Sequence, residues 1–217
     1  MREKTAEVFS IAGDNAPVSG CTISREVSGG KNSILYFSLA EGTDISAEIH
    51  PYYKLLLVAE GTLTVYGGKK RWTRELQCGD AIVTPLNTAV GMRTETGCVY
   101  TELQIRKEDI MNEAIRAGEV FKLAGLVPYQ DGRIVNMDIV HNEKMKFVVM
   151  AFDAGTGLAE HAAPGEALIF ALDGEGVIGY EGKEYPIRAG ENFHFAKGGL
   201  HSVKADKKFK MALLLTV

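Results

Sequence analysis

The amino-acid chain repeats itself at a nearly fixed offset. Glu7-Val8-Phe9 and Ala12-Gly13 recur as Glu119-Val120-Phe121 and Ala124-Gly125, 112 positions on; Gly42-Thr43 recurs as Gly155-Thr156 and Gly61 as Gly174 at 113, and Gly79 as Gly190 at 111. Two copies of one domain, the second with a short loop deletion, leave this trace. The repeat restricts the fold to something that 217 residues can build twice, which puts each copy near the lower common size of a domain.

What each copy builds follows from its turns. In the first, residues 33–39 and 54–60 are apolar runs of strand length, 63–66 and 71–76 flank Gly67-Gly68 as a hairpin, 81–84 run into Pro85, and 99–105 close the set. In the second, residues 147–152, 167–172, 177–180, 191–195 and 210–217 read as strands in the same way. Proline and glycine punctuate what β-prone runs build, and many short strands at this spacing predict a sandwich or a jelly-roll barrel. The 24 glycines favour a turn-rich β protein over a helical one. The last strand is apolar on both faces, which predicts burial between sheets or at an interface between the copies. Residues 109–117 read differently: Asp109 as a cap, Ile110, Met111, Ala114 and Ile115 as an apolar stripe, and Gly118 as a stop predict a short connecting helix.

Bulk properties exclude some partners. A net charge of -4 at pH 7 argues against nucleic acid, because phosphate binding needs a surplus of lysine and arginine. Cys21, Cys78 and Cys98 are odd in number and lack a Cys-x-x-Cys pair, so they read as reduced thiols. Charges fill positions 2–7, where a secretory apolar segment would stand, and no apolar run is long enough to span a bilayer. The expectation is a cytoplasmic protein with no membrane partner.

Two stretches of the second copy carry the candidate chemistry. Residues 155–174 hold a glycine-rich turn, His161, the Pro164-Gly165 turn, an apolar run and Asp173-Gly174; residues 190–201 run from Gly190 through a strand and Gly198-Gly199 to His201. Their spacing resembles the two motifs of the cupin family. Counted from His161, the first motif ends on Gly174; the second is met by Gly190, Gly198 and His201, with Ala196 in place of its proline. Ala163 stands where the motif has its second histidine, and Ala167 where it has its glutamate. Gly157-Leu158, Glu160-His161, Pro164-Gly165 and Phe209-Lys210-Met211 are similar to stretches of small bacterial cupins. The resemblance implies an all-β chain of two tandem cupin (double-stranded β-helix, jelly-roll) barrels joined by a short helix: an N-terminal domain over 1–107, a connector over 108–118 and a C-terminal domain over 119–217. It also implies a homodimer paired through sheet edges.

In that family, strand-borne histidines, a carboxylate and a later histidine point into the barrel and hold a divalent metal such as iron, manganese, nickel or zinc. His161 and His201 are the metal-ligand candidates here, with Glu166 or His194 as the third donor. Glu166 sits one residue before the family's glutamate position, and strand parity turns it to the other face unless a bulge re-aims it. The alternative is that both imidazoles hydrogen-bond a ligand or water beside the volume left by Ala163 and Ala167. In the first copy, the offset places Glu48 and His50 at the histidine positions, Lys54 at the glutamate position and Val90 at the later histidine. An ammonium there repels a cation, so a Glu48–Lys54 ion pair would replace the metal; an exposed lysine at a strand start is the other reading.

Three functions remain open, because cupins host many activities. The first is a small-molecule binder taking a sugar or metabolite in the C-terminal barrel. The second is a metal-dependent enzyme of dioxygenase, decarboxylase or isomerase type. The third is an interaction protein whose pockets are unused.

Overall fold

The structure, a computed structural model, describes residues 1–67 and 72–217. It is an all-β jelly-roll fold, and among the described residues the helical pieces are Ile11–Asp14 and the 3-10 turn Leu123–Gly125. Among the described residues no helix is long and apolar enough to cross a membrane.

The two halves follow one pairing scheme. The first uses the strands Thr22–Ser28, Ile34–Leu39, Asp44–Ile49, Tyr53–Gly67, Trp72–Gln77, Asp80–Val83, Ala89–Arg93 and Cys98–Ile105. The second uses Ile134–His141, Met145–Phe152, Thr156–Ala162, Glu166–Tyr180, Lys183–Arg188, Asn192–Phe195, Leu200–Ala205 and Phe209–Thr216, paired in the same antiparallel order. In each half the long strand serves two sheets. Tyr53–Gly67 pairs first with Cys98–Ile105 and Asp80–Val83, then with Trp72–Gln77 and Ala89–Arg93. Gly67 pairs with Trp72 across the expected hairpin, whose turn at Gly68 lies outside the described residues.

The corner between those sheets needs glycine. Register shifts between Val58 and Glu60, and again between Ala171 and Asp173, just before Gly61 and Gly174. Their φ angles are +77° and +71°, and a Cβ added to either would lie 2.0 Å from a backbone carbonyl oxygen. A side chain there meets both a left-handed backbone and a hard contact.

Three apolar clusters hold the fold. One lies within each half: Leu56, Val58, Leu63 and Tyr100 in the first, Ile169, Phe193, Phe195 and Met211 in the second. The third lies between the halves and joins Leu55, Leu57 and Leu103 to Phe147, Phe170 and Leu214. Strand alternation explains the division, since successive side chains leave opposite faces. Phe209–Thr216 sends Met211 into its own barrel and Ala212 and Leu214 into the shared layer, as its two apolar faces predict.

The repeated Val-Phe segments cross over. Val8–Phe9 pairs with Phe193 and Asn192 of the second half, while Val120–Lys122 pairs with Ile82, Ala81 and Asp80 of the first. Each half therefore receives an edge strand from sequence that precedes the other.

The connecting helix over 109–117 is not formed. Ile110–Met111 is instead a short strand paired with His141 and Val140. The Asp109 carboxylate accepts from Arg106 N–H and from the side-chain amides of Asn32 and Asn142, so it closes a turn and ties together hairpins of both halves. A nine-residue segment gains little from helix propagation, and these bonds hold its start in a different geometry.

Candidate functional site

Leu200–Ala205 turns His201, Val203 and Ala205 to the barrel interior, where all three are buried. Thr156–Ala162 runs antiparallel to it, and a register shift between Leu158 and His161 sets His161 opposite His201. The two imidazole centroids are 4.2 Å apart. Phe195 packs on the other side of His201, also at 4.2 Å.

Hydrogen bonding settles the tautomers. His161 Nδ1 lies 2.8 Å from the Ala159 carbonyl and His201 Nδ1 3.2 Å from that of Gly199. A carbonyl only accepts, so each Nδ1 carries a proton, and in the neutral ring it is Nε2 that keeps the lone pair. Burial lowers the pKa of His201, with the Gly199 carbonyl working against it and His161 adding to it. His161 is exposed and His201 buried, which places the pair at a solvent-facing mouth. Ala163 and Ala167 are buried in the same barrel.

The other candidates of this half lie elsewhere. Glu166 faces away from Ala167 and pairs with the Met1 amine; its other oxygen is 3.8 Å from His194 Nε2. His194 is 2% exposed, and its Nδ1 is 2.9 Å from the Thr5 hydroxyl. Burial lowers its pKa, helped by the Met1 amine and opposed by Glu166. No bulge re-aims Glu166, so the parity that turns it outward prevails.

A metal centre needs a third donor. Among the described residues no group of three His, Cys, Asp or Glu side chains is placed to hold a metal ion. His161 and His201 supply two nitrogens, with Ala163 and Ala167 at the positions where further donors would stand, so this donor set does not fit a tightly held metal.

The first half brings its three candidates to one barrel mouth with different partners. Glu48 Oε2 is 3.4 Å from His50 Nε2. Lys54 pairs with Glu102 at 3.3 Å instead of with Glu48. The register Leu56–Glu102 explains this: it sets Glu102 of the neighbouring strand on the interior face that Lys54 shares with Leu56. Burial raises the Glu102 pKa, opposed by Lys54, and burial lowers that of His50, with Lys54 adding to it. Sequence reasoning missed Glu102. The available signal was a carboxylate inside the apolar run Val99-Tyr100-Thr101-Glu102-Leu103, a position a buried strand gives only to a partnered charge.

Comparison with known proteins agrees with this geometry. Residues 148–217 match the family model of the cupin domain. The chain is 28% identical over 129 residues to the oxalate-binding protein of Thermotoga maritima, an alignment covering 57% of this chain and 99% of that protein. Its fold superposes on a cupin 2 conserved barrel domain protein from Leptotrichia buccalis with a TM-score of 0.87 at 24% identity, covering 100% of this chain and 99% of that one. A salicylate 1,2-dioxygenase mutant from Pseudoaminobacter salicylatoxidans superposes with a TM-score of 0.66 at 11% identity, covering 100% and 86%. Residues 148–217 are thus similar to the cupin domain, and the whole chain shares the fold of a cupin 2 barrel protein.

Proposed function

We propose that the chain is a bicupin, with domains over 1–107 and 119–217, that binds a small hydroxylated molecule, a sugar or metabolite, at the mouth of the C-terminal barrel. The observation that carries the reading is the His161–His201 pair, 4.2 Å apart with both Nδ1 protons directed to backbone carbonyls. In the neutral form, imidazoles held this way accept hydrogen bonds at Nε2, so they suit a ligand that presents hydroxyl donors. Phe195, stacked close to His201, offers an apolar wall, in keeping with pockets that combine aromatic surface and a few convergent polar groups. The likeness to an oxalate-binding protein supports a small polar ligand and puts oxalate on the panel. Oxalate has no donor, so its binding here would require protonated imidazoles or an added cation.

Calorimetric titration with sugars, hydroxy acids and oxalate, with and without divalent metal, tests the reading. Binding that weakens at least about tenfold in the His161→Ala, His201→Ala double variant supports it. Binding to the panel that is indifferent to that variant sinks it.

A metal-dependent enzyme is the second reading, favoured by the two free Nε2 lone pairs. Elemental analysis separates the two: near-stoichiometric metal in the purified protein, lost in the same double variant, favours the enzyme.

A further inference from the structure

The N-terminal half buries a charged pair and a phenol at positions where the C-terminal half has apolar side chains. Lys54 and Glu102 form an ion pair at 3.3 Å with side chains 12% and 3% exposed. Beside them, Tyr100 is fully buried with its ring stacked on Phe37 at 5.0 Å, and among the described residues its hydroxyl has no hydrogen-bond partner. Glu102 Oε2 also lacks a hydrogen bond, its contact to Lys54 being the ion pair alone.

The C-terminal half supplies an internal control. Matching the two pairing registers sets Lys54 against Ala167, Glu102 against Leu213 and Tyr100 against Met211. One scaffold thus accepts either a charged pair with a phenol or three apolar side chains. Desolvating two charges costs more than packing apolar groups of similar volume, and a buried hydroxyl without a partner adds to the cost. Folding alone gives no reason for the expensive set.

We propose that the N-terminal barrel is a second, metal-independent binding site for a small 2-hydroxy or 2-amino carboxylate. The Lys54 ammonium has three N–H donors and one partner, so it takes the carboxylate of the ligand. The Tyr100 hydroxyl donates to the same group, and the free acceptor of Glu102 receives the ligand's hydroxyl or amino proton. Access is from the rim, where His50 and Lys54 keep partial exposure and His50 stacks on Tyr52 at 4.9 Å. The site is independent of the imidazole pair of the other half, so the two stand or fall separately.

The experiment is calorimetry and thermal shift with glycolate, lactate, glycine and alanine, and with acetate as the probe that has no donor. Binding of at least one of the first four, and weaker or no binding of acetate, is expected. Tyr100→Phe removes one oxygen that has no partner in the free protein. It leaves the melting temperature unchanged or higher and weakens the probe about fivefold; a tyrosine outside the site would leave binding unchanged. The charge-balanced Lys54→Met, Glu102→Leu double variant imitates the apolar half and abolishes binding, while His161→Ala, His201→Ala leaves it intact. Failure of all four acids to bind overturns the proposal. So does binding that survives Tyr100→Phe at full strength, or that disappears with the two histidines.

Discussion

His161 and His201 face each other across a strand pair, each with its ring Nδ1 turned to the carbonyl two residues before it. With a proton of each ring held on the backbone side, Nε2 of the neutral ring is the nitrogen left to accept from an incoming donor. Protonation of His201 must overcome burial and the neighbouring ring.

The first prediction concerns pH. His50, His194 and His201 all have pKa values lowered by burial. Around and below the ordinary histidine value of about 6.5 the unfolded chain takes up protons that the folded chain refuses, so this stability is present above that range and is lost as pH falls through the lowered folded-state values. Each proton of difference contributes at most about 1.4 kcal/mol per pH unit. Chemical denaturation at a series of pH values should show this slope, and His201→Asn and His194→Asn should each flatten it. A flat profile in the wild-type protein would contradict the burial of these rings.

Phe170 belongs to the layer shared by both halves and meets Phe147 edge-on at 6.1 Å. Phe170→Ala should cost about 3–5 kcal/mol. Because the layer joins the barrels, the loss should appear as a lower midpoint of one transition, followed by both tyrosine fluorescence and circular dichroism.

Asp109 collects the Arg106 N–H and the Asn32 and Asn142 amides at 2.7–2.9 Å. Asp109→Ala leaves these donors to water and should cost about 1–3 kcal/mol. Glu108→Ala, one residue away and paired only with Arg106 on the surface, is the control, with an expected loss below about 1 kcal/mol. Equal losses would remove Asp109 from the role of tie between the halves.

Gly174→Ala should destabilise by about 2 kcal/mol or more, since its Cβ meets the Lys208 carbonyl at 2.0 Å on a backbone with φ +71°. Gly190→Ala, also at positive φ but with open space around it, should cost less. Thermal melts of the two variants separate the contact from the backbone strain.

The architecture was legible where a local signal had a physical cause. Residues 210–217 announce a strand between two cores because both faces are apolar, whereas Gly61 and Gly174 read as breaks between separate strands and instead lie inside one long strand that bends there. Asp44–Ile49 was missed although Ile45, Ala47 and Ile49 alternate with polar residues: it is a largely exposed edge strand, and three apolar positions without a bulky run make a weak signal. Residues 109–117 misled because their apolar spacing is shared by a helix and by a strand followed by turns, and the choice was made by Asn32 and Asn142, far away in sequence. The site shows the same limit. Histidine positions could be counted from motif spacing, whereas the partner of Lys54 depended on how Tyr53–Gly67 registers with Cys98–Ile105, which no single segment encodes.

The exchange of the Val-Phe edge strands has a consequence for assembly. Were the halves separate polypeptides, each would lend an arm to its mate, and the complex would come apart on dilution. Carried on one backbone, the trade becomes unimolecular: the embrace survives at any concentration, and neither half can be expressed alone without a bare edge where the other's arm belongs.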